Sequence, residues 1–151
     1  MARFRYSMQN ILDIKLKMET QAKQEFSAMK NALDDEEEKL EALRTRKRQY
    51  EEEAERLRMG TLRILELEAN QNALLVMDEY IAAQREQVRK AEKRLEEARE
   101  KLAEVMKERK TQETLKDKAF EEFLLEENRA ESKVVDELTS YTYGQKRQVN
   151  G

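Results

Sequence analysis

Acidic side chains are the residues of this 151-residue sequence that are best suited to chemistry, and they occur in two consecutive runs, 34–38 and 51–53. Grouped carboxylates can bind a metal ion or act as general acids and bases. On a helix, however, neighbouring side chains point about 100° apart, so consecutive carboxylates cannot converge on one ion. The runs therefore indicate the solvated face of a charged helix.

A basic run, Arg-Thr-Arg-Lys-Arg at 44–48, has the residue types that bind phosphate or RNA. Acidic residues flank it on both sides, and the chain carries 30 Lys and Arg against 33 Asp and Glu, a net charge of −3. Nucleic-acid binders usually carry an excess of positive charge on one face. A solvated helix is again the favoured interpretation, and we predict no nucleic-acid partner.

The residue types that most enzymes need are missing. Without His or Cys there is no imidazole base, thiolate nucleophile or zinc site. The three glycines, at 60, 144 and 151, are too far apart for a phosphate-binding loop. We therefore predict a protein that is not an enzyme, with no cofactor, no metal and no small-molecule substrate.

Composition also restricts the elements that could position any functional residue. The chain has no proline, 42% charged residues and 38% hydrophobic residues, which is typical of long helices or a coiled coil. No apolar stretch has the ~18 residues that a membrane span needs. The basic start, 1–6, is not followed by the apolar run of a signal peptide, so none is expected.

Apolar residues in the first half recur at alternating spacings of four and three, which predicts one continuous heptad seam, meaning the line of residues that faces a partner helix. Polar residues occupy the seam at Lys15, Glu19, Glu36 and Lys47. The apolar members are Met8, Leu12, Ala22, Phe26, Met29, Leu33, Leu40, Leu43, Tyr50, Ala54, Leu57 and Ile64.

The second half repeats this spacing, with Gln84 as a polar member. Its apolar members are Leu74, Met77, Ile81, Val88, Ala91, Leu95, Ala98, Leu102 and Val105. Between Arg109 and Thr114 the spacing is expected to slip, as in a stutter or stammer. Apolar residues then resume at Leu115, Ala119, Phe120, Phe123, Leu124, Val134, Val135 and Leu138.

These patterns predict an all-α fold in which two long helices form an antiparallel coiled-coil hairpin. The predicted helices cover 4–58, extending as far as 68, and 73–140, with the turn within 59–72. A single domain would cover 1–143, and 144–151 is expected to be a disordered tail. The turn could fall at Gly60 or at 70–72. With a turn near residue 71, residues 1–21 would face 121–141, and the excess of bases in the first segment and of acids in the second favours that pairing.

Two groups of apolar side chains suggest contact surfaces. Residues 74–81 hold more apolar side chains than one seam can use, so the surplus either binds a partner or is covered by the inter-helix connection. Phe4, Phe26, Phe120 and Phe123 lie on or beside the seam, and we predict a packed core at the open end of the hairpin, with a binding surface as the alternative.

Two segments resemble a known family. The opening Phe-Arg-Tyr-Ser-Met-Gln-Asn-Ile-Leu-Asp-Ile-Lys at 4–15 is similar to the N-terminus of the flagellar export protein FliJ family, and residues 124–137 resemble its C-terminal segment. The second likeness rests on the polar positions Glu127, Asn128, Arg129, Lys133, Asp136 and Glu137.

The resemblance implies a cytoplasmic, two-helix antiparallel coiled coil, peripheral at the inner face of the cell membrane and similar to the central stalk of rotary ATPases. It implies three partners in the flagellar type III export apparatus: the export ATPase ring, the cytoplasmic domain of the export gate, and export chaperones. The implied gate contacts are Met77, Tyr80, Ile81 and Gln84. The implied ATPase contacts are Glu127, Asn128, Arg129 and Lys133.

Two other interpretations use the same periodicity. The chain could be a generic coiled-coil spacer or tether, including the equivalent stalk of a virulence type III secretion system. It could also be a parallel homodimer of one long bent helix, although the polar seam positions and the oppositely charged ends disfavour that arrangement.

Overall fold

The computed structural model describes the backbone of residues 2–150 and the side chains of residues 2–145. It has two helices, α1 (Gln9–Leu57, 49 residues) and α2 (Ile64–Asn150, 87 residues). No strand occurs within 2–150. The predicted all-α fold of two long antiparallel helices is confirmed.

The turn between the helices occupies residues 58–63. Gly60 has a φ of +81°, a left-handed conformation that glycine adopts without the steric cost of a Cβ, so the chain leaves α1 there. Of the two predicted stop signals, Gly60 is therefore correct and 70–72 is wrong. Asn70 lies inside α2, where it is buried and its Nδ2 donates to the Tyr50 carbonyl oxygen at 2.9 Å.

Both ends of the helical region differ from the predicted bounds. α1 begins at Gln9, because residues 2–6 are non-helical and a turn at 7–8 precedes the helix. α2 begins at Ile64 instead of 73 and continues to Asn150, whereas disorder was predicted for 144–151; Gly151 lies outside the described residues. A lone Gly144 costs a helix only about 1 kcal/mol, and the Gln, Lys and Arg that follow favour helix.

The described residues form two compact units, where the sequence predicts one domain. Side chains of paired helices contact only those at the same level, so interactions remain local. In the unit of residues 20–104, the core is made of Leu40, Ile81 and Val88, with Leu33 and Leu43 packed against them. Glu25 of α1 pairs with Lys101 of α2, and Lys47 of α1 pairs with Asp78 of α2. Residues later in α1 therefore meet residues earlier in α2, which makes the two helices antiparallel.

The second unit joins residues 2–19 to the described residues from 105 onward. Phe4 packs edge-on against Phe120 at 5.1 Å between ring centroids and also contacts Phe123, which confirms three of the four aromatic residues predicted to pack together. Such aromatic pairs contribute about 0.5–1.5 kcal/mol beyond the area they bury. Phe26 lies in the other unit, half-buried in its seam.

The expected register was wrong. Tyr6 donates a hydrogen bond to Gln112 and Lys15 pairs with Glu108, so these residues face positions before 121–141, and Phe4 reaches that segment only at Phe123. The error arose because the charge comparison assumed a turn near residue 71. Beyond Phe123 the side chains of α2 are exposed as far as Gln145, except for the half-buried Glu127.

The predicted seam is confirmed within 8–57 and 74–105, including its polar members. Ile64, Leu115 and Phe120, which were also assigned to it, are exposed. Glu19 is buried, and Lys15, Glu36, Lys47 and Gln84 are half-buried. The predicted slip after Arg109 is wrong: residues with reduced exposure continue at three–four spacing through 105, 109, 112, 116, 119 and 123. The seam keeps its register there and simply uses polar side chains.

Candidate partner-binding surfaces

The four implied gate-contact residues do not share one surface. Met77 and Ile81 are buried in the hairpin core, at 5% and 6% exposure. Gln84 is half-buried, and its Nε2 donates to the Glu36 carbonyl oxygen at 3.0 Å as well as to the Glu36 carboxylate. Only Tyr80, at 54% exposure, presents its side chain to solvent.

Tyr80 and Val76 form a small apolar patch on α2, which we call the Tyr80 patch, and Leu75 lies about 100° further around the helix from Val76. All three side chains are exposed, so the inter-helix turn does not cover the surplus apolar residues of 74–81. Val76 and Tyr80 are four residues apart and therefore lie on one helix face. The patch presents a hydrophobic contact surface next to the buried seam.

An ion pair lies beside this part of the core. Lys47 Nζ is 2.8 Å from Asp78 Oδ1, and the hydrogen bond and charge of Asp78 raise the pKa of Lys47 above its ordinary value. Lys47 is one of the polar residues that the sequence places in the seam. Its ammonium group is satisfied across the helix pair, which explains how the seam tolerates it.

The second unit, which joins residues 2–19 to the described residues from 105 onward and which we call the terminal unit, contains a second layer of polar side chains. Arg109 binds Glu19 with both Nε (2.7 Å) and Nη2 (3.2 Å), and its Nη1 pairs with Glu113 at 2.8 Å. The hydrogen bonds that Arg109 donates, to Glu19 first and to Glu113 second, raise the pKa of Arg109. A bidentate Arg–carboxylate contact fixes geometry as well as charge, so this layer specifies which residues of α1 and α2 meet.

The four implied ATPase-contact residues lie on the exposed C-terminal part of α2. Glu127 is half-buried, and Asn128, Arg129 and Lys133 are exposed. At 100° per residue, Arg129 and Lys133 lie within 40° of each other around the helix, while Glu127 points away from both. The structure therefore places the two cations on a common face, without the glutamate.

Apolar residues that the sequence assigns to the resumed seam are exposed instead. Leu124, Val134, Val135 and Leu138 all face solvent, as do Leu125 and Tyr141. The signal that could have revealed this is the shift of the apolar spacing by one residue after Phe123. Ile64, also assigned to the seam, is exposed near the turn together with Met59, Leu62 and Leu65.

The described residues hold no group of three or more acidic side chains arranged to bind a metal ion. Neither helix, within the described range, has a segment both long and apolar enough to cross a lipid bilayer.

A protein-family model described as Flagellar FliJ protein matches residues 4–148, nearly the whole sequence. The chain belongs to the FliJ family. Among solved structures, the chain is similar to a protein of Chlamydia trachomatis described as a YscO homolog, CT670. The two are 26% identical, with a TM-score of 0.80, and the match covers 97% of this chain and 99% of the other. No curated protein matches the sequence.

Membership of the FliJ family makes the chain a component of type III protein export. The bidentate Arg109–Glu19 contact and the aromatic packing of Phe4 lie inside the matched range.

Proposed function

We propose that this protein is the stalk of a flagellar type III export apparatus, a cytoplasmic protein that works at the inner face of the cell membrane through protein contacts. The observation that carries the proposal is the FliJ family match over 4–148. A helical hairpin with a buried seam and charged outer faces suits this role, because it is stiff and its outer contacts are weak and reversible.

In this proposal, the open end of the hairpin engages the export ATPase ring. Glu127, Asn128, Arg129 and Lys133 lie there, on a part of α2 that is largely exposed. Arg129 and Lys133 would meet acidic groups on the inner surface of the ring. The protein stimulates ATP hydrolysis by the ring and performs none itself.

The export gate would bind at the Tyr80 patch. Tyr80 is the one implied gate residue with an exposed side chain, whereas Met77, Ile81 and Gln84 support it from within the hairpin. Export chaperones would be escorted on the outer faces of the helices.

A second candidate is the equivalent stalk of a virulence type III secretion system. The observation that favours it is the similarity to the YscO homolog of Chlamydia trachomatis over nearly the full length of both chains. Both candidates predict an ATPase partner, and they differ in which secretion system supplies it.

The proposal is tested by charge reversal at the open end. The double variant Arg129→Glu with Lys133→Glu should keep its helicity, because exposed ion pairs add little to stability. Its association with the purified export ATPase should weaken by about tenfold at low salt, since complementary charge governs such encounters. Stimulation of ATP hydrolysis should fall in parallel.

A matched control uses the same residue types and spacing elsewhere on α2. Arg89 and Lys93 are exposed and four residues apart, so Arg89→Glu with Lys93→Glu changes the net charge equally. This control should bind the ATPase like the parent. If the parent, the double variant and the control bind the ATPase equally at low and moderate salt, Arg129 and Lys133 are not part of the ATPase contact.

A further inference from the structure

The exposed C-terminal part of α2 carries its own heptad spacing. Six positions are separated alternately by three and four residues, and we call them the C-terminal stripe: Leu124, Glu127, Glu131, Val134, Leu138 and Tyr141. The four apolar members are 44–65% exposed. This spacing is typical of a surface that packs against another helix.

The C-terminal stripe does not continue the hairpin seam. With the alternation seen over 105–123, the seam would go on through 126, 130 and 133, but all three are exposed, and the one half-buried residue between Phe123 and Gln145 is Glu127, a member of the stripe. The stripe begins one residue after Phe123, at Leu124, which turns it about 100° around the helix. A helix seated on it would therefore approach from a direction that α1 does not occupy.

Charge identifies the chemistry of that helix. Residues 121–145 hold seven acidic side chains and two basic ones. Glu127 and Glu131 lie within the stripe, whereas Arg129 and Lys133 lie on the opposite face of α2. A helix covering the stripe must therefore bring positive charge to two adjacent layers and apolar side chains to the others.

The hairpin itself shows how such layers are satisfied. In its own seam, Glu19 is 6% exposed and is held by two hydrogen bonds from Arg109 on the other helix. Burying a carboxylate without a partner of this kind is costly. Glu127 and Glu131 need the same complement from whatever covers them.

A second copy of the chain does not supply it. A parallel copy would place Glu127 against Glu127 and Glu131 against Glu131. An antiparallel copy centred on the stripe would place Glu127 against Leu138 and Glu131 against Val134. Neither arrangement offers a cation to the buried carboxylates.

We propose that the C-terminal stripe is a docking site for a basic amphipathic helix of another protein, with Arg or Lys opposite Glu127 and Glu131 and apolar residues opposite Leu124, Val134, Leu138 and Tyr141. A shallow groove between Val135, Leu138, Thr139, Thr142 and Tyr143 adjoins the apolar end of the stripe and receives part of that helix. The site shares Glu127 with the proposed ATPase contact, but Arg129 and Lys133, the two cations of that contact, lie on the far side of α2.

The test uses the full chain and synthetic amphipathic peptides of about 22 residues, three heptads long. Their six seam positions read Leu-Arg-Arg-Leu-Leu-Leu, or the reverse order for an antiparallel approach. A control pair carries Glu at the two Arg positions. Fluorescence anisotropy should show that one Arg peptide binds the parent protein at least about tenfold more tightly than its Glu counterpart.

Two variants then locate the site. Glu131→Lys and Leu138→Asp should each weaken binding of the Arg peptide by about tenfold or more, since each places an unmatched charge in a buried layer. Asp136→Lys makes the same charge change as Glu131→Lys on the opposite, exposed face, and should bind like the parent. Circular dichroism should show equal helicity for all variants, because every substituted side chain is exposed.

Other outcomes overturn the proposal. If neither Arg peptide binds, or if Asp136→Lys weakens binding as much as Glu131→Lys, the stripe is not the site. If sedimentation shows self-association that Leu138→Asp abolishes, the occupant is a second copy. If Leu138→Asp abolishes binding to phosphatidylcholine–phosphatidylglycerol vesicles, the occupant is lipid. The ATPase contact is measured separately with the Arg129 and Lys133 variant, so either conclusion can fail alone.

Discussion

Alanine substitutions at two adjacent residues, Ile81 and Tyr80, should have different effects: the first should lower the stability of the protein, and the second should weaken binding to the export gate. Both were implied as gate contacts, yet Ile81 is 6% exposed in the core with Leu40 and Val88, and Tyr80 is 54% exposed. Ile81→Ala removes three carbons from the core. At about 0.8 kcal/mol per buried methylene, the loss is about 2–3 kcal/mol, at the low end of large-to-small core substitutions. A core of only two helices can partly close around the space, which keeps the cavity contribution small.

Tyr80→Ala should change the free energy of unfolding by only about 0.5 kcal/mol, because exposed substitutions away from buried features have small effects. Urea unfolding followed by circular dichroism at 222 nm measures both values. Binding to the purified cytoplasmic domain of the export gate, at a temperature where both variants are folded, measures function. Tyr80→Ala should weaken that binding, whereas folded Ile81→Ala should bind nearly like the parent.

Two results would refute this reasoning. If Ile81→Ala unfolds at the same urea concentration as the parent, Ile81 is not part of a stabilising core. If folded Ile81→Ala loses gate binding while Tyr80→Ala retains it, the gate contacts the buried side of α2. In that case the hairpin must open on binding.

Two further predictions concern the turn and one seam ion pair. Gly60→Ala should destabilise the protein by about 1 kcal/mol, because a left-handed φ of +81° strains alanine, although its Cβ would meet no atom within 4 Å. An unchanged urea midpoint would mean that the turn relaxes to another conformation. For Lys47, the folded-state pKa is raised, so its stabilising effect is complete below the ordinary value of 10.5 and is lost as pH rises through the folded-state pKa. Stability measured between about pH 9 and 12 should therefore fall more steeply for the parent than for Lys47→Met, and parallel curves would contradict the assignment.

The seam was predictable because it depends on local periodicity. Residues at three–four spacing must share a helix face whatever lies opposite, so even Glu19 and Gln84 were placed correctly in the interior. The slip near Arg109 was not real, because apolar character was used as the measure of a seam position. Arg109 and Gln112 occupy the seam as polar residues, with Glu19 and Tyr6 as their partners on the other side.

The candidate sites were less predictable than the seam. Sequence position placed Met77, Tyr80, Ile81 and Gln84 together, but alternation around the helix directs Tyr80 outward and the others toward α1. Leu124, Val134, Val135 and Leu138 have the spacing of a resumed seam but are exposed, since spacing alone does not show whether a partner helix is present. Exposure depends on where the other helix ends, which is a property of the register.

The sequence by itself determined that the chain is two charged helices with one internal seam, and the segments 4–15 and 124–137 pointed to its family. These features follow from composition, local spacing and motif, which do not depend on distant contacts. Only the tertiary structure decided the register, because it is set by contacts between residues far apart in sequence: Phe4 with Phe120, Arg109 with Glu19, and the turn at Gly60. That register leaves the end of α2 exposed, and so determines which apolar residues stabilise the hairpin and which remain available to a partner.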